Sequence, residues 1–250
     1  MERVRRAGLP VRGRPGHDGG MTRDAETLAR IPLFRSLGED AVRRLDAACV
    51  WRRAGAKEWV LDYQSGGTDL FFVLRGHVRV VITAAGREVI LRDIQDGEFF
   101  GELAAIDQQP RSAGILAITD TVVARMPAGV FRRAVHEHPD VCDQLLLALV
   151  GQIRTLANRA NEQSNLGVRG RLYAELLRLA RAPAGGASRL VVSPPPTHAE
   201  LAARVSSHRE AITRELGGME RSGLIERRRS AIVLLDADRL RRMIAEPGEA

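Results

Sequence analysis

Leu70-Phe71-Phe72-Val73-Leu74, Val78-Arg79-Val80-Val81-Ile82, Val89-Ile90-Leu91, Ala113-Gly114-Ile115-Leu116-Ala117 and Val122-Val123-Ala124 are short β-prone runs crowded between Trp51 and Met126. Turn residues separate them at Gly66-Gly67, Gly76, Gly86, Asp96-Gly97 and Asp120. Many short strands at this spacing predict a small antiparallel β-roll, jelly-roll-like. Within it lies Gly97-Glu98-Phe99-Phe100-Gly101-Glu102-Leu103-Ala104, closed by Pro110-Arg111-Ser112-Ala113. A tight glycine turn, a carboxylate and an arginine held among strands predict a pocket for a small phosphorylated ligand. Exposed amides near a turn make an anion nest, and a guanidinium adds paired, charge-assisted hydrogen bonds.

Upstream, residues 22–48 carry Leu28, Ile31, Leu33, Phe34, Leu37, Val42 and Leu45 at helical spacing, broken by Pro32 and Gly38, which predicts two short helices. Residues 1–21, rich in Arg, Gly and Pro, read as a flexible basic tail, with Met21 as an alternative start. Downstream, Leu145 to Asn165 reads as a long helix with two apolar stripes. Leu145, Leu149 and Leu156 form one; Leu146, Val150, Ile153, Ala157 and Ala160 form the other. Such a helix needs two partners, the roll and the same helix of a second chain, so residues 142–165 are expected to form a homodimer seam with Gln152 inside it. The alternative is a helix buried wholly within its own chain. Leu172 to Leu179 continues as a further helix, Pro183-Ala184-Gly185-Gly186 as a turn, and Leu190-Val191-Val192 as a short strand before Pro194-Pro195-Pro196. The chain therefore divides into a tail (1–21), a sensor domain (22–141), a dimerisation helix (142–169) and a C-terminal unit (170–250), an α+β architecture.

In that last unit, Thr197-His198-Ala199-Glu200 and Ser207-His208-Arg209-Glu210 each match a capping box, a hydroxyl at the N-cap with Glu three residues on. Two boxes at this interval define a helix-turn-helix with Leu201, Val205, Ile212 and Leu216 inside. Ser207, His208, Arg209, Glu210, Thr213 and Arg214 then face a DNA major groove. Arginine can bond both O6 and N7 of guanine, and Glu210 can accept from a cytosine amino group. The alternative for Glu210 and Arg214 is an i,i+4 surface ion pair. Gly223 to Glu226 and Ala231 to Leu235 predict a two-stranded wing with Arg227, Arg228 and Arg229 as a phosphate clamp.

Composition agrees. The 250 residues are 44% apolar, enough for two domains. The net charge is +7; residues 170–250 hold fourteen arginines against ten acids, and residues 1–20 five against two. A basic C-terminal unit fits a polyanion partner. Without a long apolar run or a signal-peptide pattern, no membrane is expected and the protein is expected in the cytoplasm. Cys49 and Cys142 read as buried small hydrophobes, and no nucleophile, base and orienting group cluster as in an enzyme.

Over about residues 28–243 the chain resembles the CRP/FNR family of bacterial transcription regulators. Gly101-Glu102-Leu103-Ala104 with Pro110-Arg111-Ser112-Ala113 is similar to its phosphate-binding cassette, and Arg209-Glu210-Ala211-Ile212-Thr213-Arg214 to its recognition helix. The resemblance implies Arg111 on the cyclic phosphate, Glu102 on the ribose 2′-hydroxyl, and Ser112 with the Gly101 and Leu103 region completing the cradle. Where cAMP-binding members carry adjacent hydroxyl residues for the purine, this chain has Leu156-Ala157, flanked by Thr155 and Asn158. Cyclic AMP is the first choice of effector; cyclic GMP, another nucleotide and a ligand-free regulator stay open. An iron–sulfur site is not expected, since the first cysteine is Cys49. His77 on the roll, where haem-dependent members hold a ligand, and the His136/His138 pair are read as structural, so no metal is expected. The implied partners are double-stranded DNA, read as a palindromic operator by a homodimer, and RNA polymerase. A cyclic nucleotide domain serving only as a protein-interaction module is the rival reading.

Overall fold

The structure, a computed structural model, describes residues 27–63, 65–84, 86–183 and 189–245. The predicted tail and residues 184–186 of the predicted turn lie outside the described residues. The chain opens with two single 3-10 turns, Leu28–Arg30 and Pro32–Phe34, followed by one helix, α1 (Glu39–Ala47). Two helices were expected here. Pro32 disfavours the helical region at the residue before it, and Ile31 is extended, which splits the first of them into turns.

The roll consists of β1 (Val50–Ala54), β2 (Trp59–Leu61), β3 (Leu70–Arg75), β4 (Val78–Ala84), β5 (Arg87–Ile94), β6 (Phe99–Phe100), a short helix α2 (Glu102–Asp107), β7 (Gly114–Ala117) and β8 (Thr121–Met126). They form two antiparallel four-stranded sheets in the orders β1-β8-β3-β6 and β2-β7-β4-β5. Between the sheets lies a core of Phe71, Val73, Val78, Ile94, Phe100, Ile115 and Val123, with the Phe71 and Phe100 rings stacked at 5.1 Å. Successive strand residues point to opposite faces. Leu70, Phe72 and Leu74 therefore meet a second core with Leu28, Ile31, Phe34 and Phe131. Both faces of β3 are covered, so its sequence is a continuous apolar run instead of an alternating one.

Helices α3 (Ala128–Glu137) and α4 (Pro139–Asn165) lead away from the roll. The extended His138 ends the first, and Pro139 occupies the first turn of the second, where its missing N–H costs nothing. Of the first predicted stripe, Leu145 is buried and Leu149 packs on the roll core, but Leu156 is exposed. The helix runs off the core after Leu149. The second stripe is open along its length, with Leu146 53% and Ile153 64% exposed, which overturns burial within the chain's own fold.

The C-terminal unit contains α5 (Val168–Leu179), β9 (Leu190–Val192), α6 (His198–Arg204), α7 (Arg209–Arg221), β10 (Ile225–Arg228), β11 (Ala231–Leu234) and α8 (Ala237–Ala245), with a three-stranded sheet in the order β10-β11-β9. Leu201, Val205, Ile212 and Leu216 all sit in its core. The capping box on α6 is complete: the Thr197 hydroxyl accepts from the Glu200 amide, and the Glu200 carboxylate accepts from the Thr197 amide. The second box does not form. Helix α7 starts one residue later than expected, with His208 as its N-cap and no side-chain cap bond, after Ser206 at φ 51°. Ser207 is thereby displaced outside the helix, out of register with the amides it was expected to cap.

Candidate functional site

Between the roll and α4 is a cavity of about 740 Å³. Its floor is set by Gly101, which ends β6 at φ +84°. A Cβ there would lie 2.6 Å from Arg111 Nη1 and 3.0 Å from the Asp69 carbonyl oxygen, so both the backbone conformation and the space require glycine. Arg111 occupies that space. Its Nη1 donates to the Gly101 carbonyl (3.1 Å), its Nη2 to the Asp69 carbonyl (2.7 Å), and its guanidinium carbon lies 5.7 Å from the Phe71 ring centre. The side chain is buried, and Nε has no partner among the described residues. Burial lowers its pKa; the charges of Asp69 and Glu102 oppose this, and Arg125 adds to it. Arginine does not deprotonate in proteins, so the site holds a dry, permanent cation.

Glu102, the first residue of α2, is also buried and lines the same cavity, with no donor among the described residues bonded to its carboxylate. Leu103 and Ser112, both exposed at the rim, complete the cassette side. The opposite wall is α4, where Gln152, Thr155, Leu156 and Arg159 face the opening. The Thr155 hydroxyl donates to the Gly151 carbonyl in its own helix (2.9 Å), which leaves its oxygen able to accept a hydrogen bond. Asn158 does not join this wall: it is exposed, and the helix turns it away from the side on which Thr155, Leu156 and Arg159 face the opening.

In the C-terminal unit, α7 presents His208, Arg209, Glu210, Thr213 and Arg214 to solvent, and Ser207 is half-buried. The i,i+4 pair of Glu210 with Arg214 is not formed: Arg214 lies 3.9 Å from Glu215, and among the described residues Arg209 and Glu210 have no ion-pair partner. Thr213 donates to the Arg209 carbonyl (2.9 Å) and lies 2.8 Å from His198 Nδ1. On the β10–β11 hairpin, Arg227 is paired with Glu220 (2.6 Å) and Arg228 with Glu226 (2.8 Å). Arg229 sits at the tip, so the expected clamp has two arginines already engaged.

Comparison with known proteins joins these two places. The cyclic nucleotide-binding domain family matches residues 51–138, and the Crp-like helix-turn-helix domain matches residues 170–243. The chain is 27% identical over 221 residues to the CRP-like cAMP-activated global transcriptional regulator of Mycobacterium tuberculosis, covering 87% of this chain and 98% of that one. It is 29% identical over 188 residues to the cAMP-activated global transcriptional regulator CRP of Escherichia coli, covering 74% and 90%. A CooA mutant from Carboxydothermus hydrogenoformans shares the fold at TM-score 0.72 and 18% identity, over 86% of this chain and 95% of that one.

The chain belongs to the CRP/FNR family of transcription regulators.

Like its relatives, this family member is a DNA-binding regulator with a cyclic nucleotide-binding domain, not an enzyme. No helix of its described residues is long and apolar enough to cross a membrane, and no group of three or more His, Cys, Asp or Glu among them is placed to hold a metal. His77 is half-buried at the β3–β4 turn; His136 is exposed and His138 half-buried between α3 and α4. Cys49 and Cys142 are free thiols, half-buried where full burial was expected. Burial and the nearby Asp46 push the Cys49 pKa up to about 12.

One feature of the regulator carries no sequence motif. Arg79 on β4 and Asp93 on β5 form a bidentate pair (2.7 and 3.2 Å), and Arg79 also bonds Glu200 of α6. Arg204 of α6 bonds Asp93 and, at 3.3 Å, Glu175 of α5. Glu175 further accepts from Arg159 of α4 (3.0 Å) and from Arg178, and Arg178 reaches Glu162 of α4 (2.6 Å). Four arginines and four carboxylates thus balance at the junction of roll, long helix and C-terminal unit. Their positions are spread from 79 to 204, so neither spacing nor periodicity marks them. Glu200 was visible only as a cap.

Proposed function

We propose that this regulator is gated by a cyclic nucleotide, with cyclic AMP the first choice, and reads a two-fold symmetric operator as a homodimer. The observation that carries the ligand is the pair of buried, oppositely charged groups, Arg111 and Glu102, that face one cavity without bonding each other. An anionic phosphate would satisfy the first and a ribose hydroxyl the second. The cAMP-activated relatives support the choice of nucleotide. The purine would meet α4 at Gln152, Thr155 and Leu156, where Leu156-Ala157 supplies no side-chain hydroxyl.

The dimer is supported by the open stripe on α4. Leu146, Leu147, Val150 and Ile153 are 45–66% exposed on one helix, an arrangement that water disfavours and a second copy would cover. A ligand that touches both the roll and α4 would then bias the docking of that helix and the separation of the two α7 helices, provided its affinity differs between the arrangements. The complete helix-turn-helix favours this reading over a pure protein-interaction module. Double-stranded DNA is the partner of α7, RNA polymerase is the further partner, and the cytoplasm is the compartment.

Calorimetric titration of the purified protein with cyclic AMP and cyclic GMP tests the ligand, with Arg111→Leu as control. Saturable binding by the parent and none by the variant is expected; equal affinity in both would remove Arg111 from the site. Selection from random duplexes tests the operator, and recovery of no preferred sequence would favour the interaction module.

A further inference from the structure

The geometry points to the buried ion cluster as the joint through which the ligand cavity acts on the DNA-reading unit, with Arg159 as the member shared by both. This rests on the ligand reading above and deepens it. Arg159 lines the cavity and at the same time donates from Nη2 to Glu175 (3.0 Å) and from Nη1 to the Ile90 carbonyl (3.4 Å). Its Nε is buried without a partner among the described residues. Burial lowers its pKa, opposed chiefly by Glu175. With the phosphate on Arg111 and the purine against α4, a purine acceptor atom at this wall competes with Glu175 for this guanidinium.

Glu175 is 1% exposed and cannot turn to water. Whatever charge it loses from Arg159 must be replaced by Arg178 or Arg204, the groups already bonded to it. Arg204 is buried as well, and its other partner is Asp93 on the roll. Strengthening Arg204 to Glu175 therefore weakens Arg204 to Asp93, one of the two ionic ties that hold α6 against the β4–β5 hairpin. The second tie, Arg79 to Glu200, shares Asp93. Charges buried together in low dielectric redistribute as a unit, because a buried charge left unpaired is strongly destabilising. The tip of the roll adds a contact at the start of the recognition helix, where Arg87 lies 3.4 Å from His208. A change at Arg159 has a continuous bonded route to α6, which shares its apolar core with the reading helix α7.

The test measures operator affinity of the full chain with and without saturating cyclic AMP. In the parent the ligand should change that affinity about tenfold or more, the usual range of coupling between sites. Asp93→Asn and Glu175→Gln lie outside the cavity wall; each should reduce the change to less than about threefold while leaving calorimetric cyclic AMP affinity within about threefold. Arg159→Gln should lose affinity and coupling together. Retention of the full ligand effect in both Asp93→Asn and Glu175→Gln would overturn the joint, as would an Arg159→Gln protein indistinguishable from the parent. Should Glu175→Gln not fold, Asp93→Asn decides. If the parent binds no cyclic nucleotide, the ligand reading fails, and the joint is judged alone by small-angle scattering of Asp93→Asn. A larger radius of gyration than the parent's then supports it, and an identical one sinks it.

Discussion

The cavity and the ion cluster both bury charge beside α4, and they do so in opposite ways. In the cluster every carboxylate has at least one guanidinium within hydrogen-bonding distance, and the charges cancel. In the cavity Arg111 leans on two backbone carbonyls and Glu102 has no donor among the described residues. A buried charge matched by its own chain is a joint. A buried charge whose natural complement is missing from its own chain is a site, because something from outside must supply that complement. The exposed Arg209 of α7 makes a third case: left wet and without an ion-pair partner among the described residues, it keeps its charge available to a polyanion at little desolvation cost.

The strongest way to break this contrast is to remove one member of the matched set. Arg204→Leu leaves Asp93 and Glu175 with fewer partners in a dry junction, and the expected destabilisation is about 3–5 kcal/mol by denaturant unfolding. A loss below about 1 kcal/mol, the range of a surface pair, would show that the cluster is wet. Acid should act in the same direction. Burial alone would raise Asp93, but the hydrogen bond from Arg79 and the charges of Arg204 and Arg79 outweigh it and hold its pKa below the ordinary carboxylate value. Glu200 is likewise lowered: the bonds from Arg79 and Thr197 overcome burial. Carboxylates lowered by folding give their full stabilisation above the unfolded value, roughly pH 4, and lose it as pH falls through the lowered values. Stability should be flat near neutrality and drop below about pH 4, with a shallower drop in Asp93→Asn.

The next effect concerns the unmatched set. Arg111→Leu should weaken cyclic AMP binding by about a hundredfold or more, since two charge-assisted bonds to phosphate are lost. Glu102→Gln should cost less, roughly tenfold, because an amide oxygen still accepts from a hydroxyl. If the order of these two losses were reversed, the ribose and not the phosphate would dominate recognition.

On the wet arginines the expected effect is smaller still. Arg209→Ala should cost about 1–3 kcal/mol of discrimination at one guanine position of the selected operator. Arg229→Ala at the wing tip should weaken specific and random duplexes alike, with a shallower salt dependence. Equal losses on both duplexes for Arg209→Ala would move it into the phosphate-contacting group.

How much of this was readable in the chain depends on whether the signal is local. The five strand runs between Leu70 and Ala124, the glycine turn at 101 and the buried face of the helix-turn-helix are legible, because each is set by neighbours within a few residues. The first strand, Val50 to Ala54, was not: with two arginines and an exposed valine it resembles a loop, and only pairing with β8 makes it a strand. Arg159 was missed because its significance lies in Glu175 and Ile90, sixteen and sixty-nine residues away. Asn158 is adjacent in sequence to the purine-facing positions, but the turn of the helix takes it off the wall that Thr155, Leu156 and Arg159 form.

The two capping motifs turn that lesson into the smallest and cleanest measurement. Thr197-His198-Ala199-Glu200 and Ser207-His208-Arg209-Glu210 are equivalent as strings, yet only the first closes both of its hydrogen bonds. Thr197→Ala should therefore destabilise the protein by about 1 kcal/mol, the typical worth of an N-cap hydroxyl, and Ser207→Ala by less than about 0.5 kcal/mol. The asymmetry has a physical reason beyond register. Glu200 is fixed from its far side by Arg79 of the roll, so its capping geometry is held by tertiary contact. Glu210 faces solvent on the reading surface and has no such support. Equal losses at the two positions would mean that α7 begins at Ser207 in solution, and Arg209 would then sit one position further into the helix, with a different reach toward the bases.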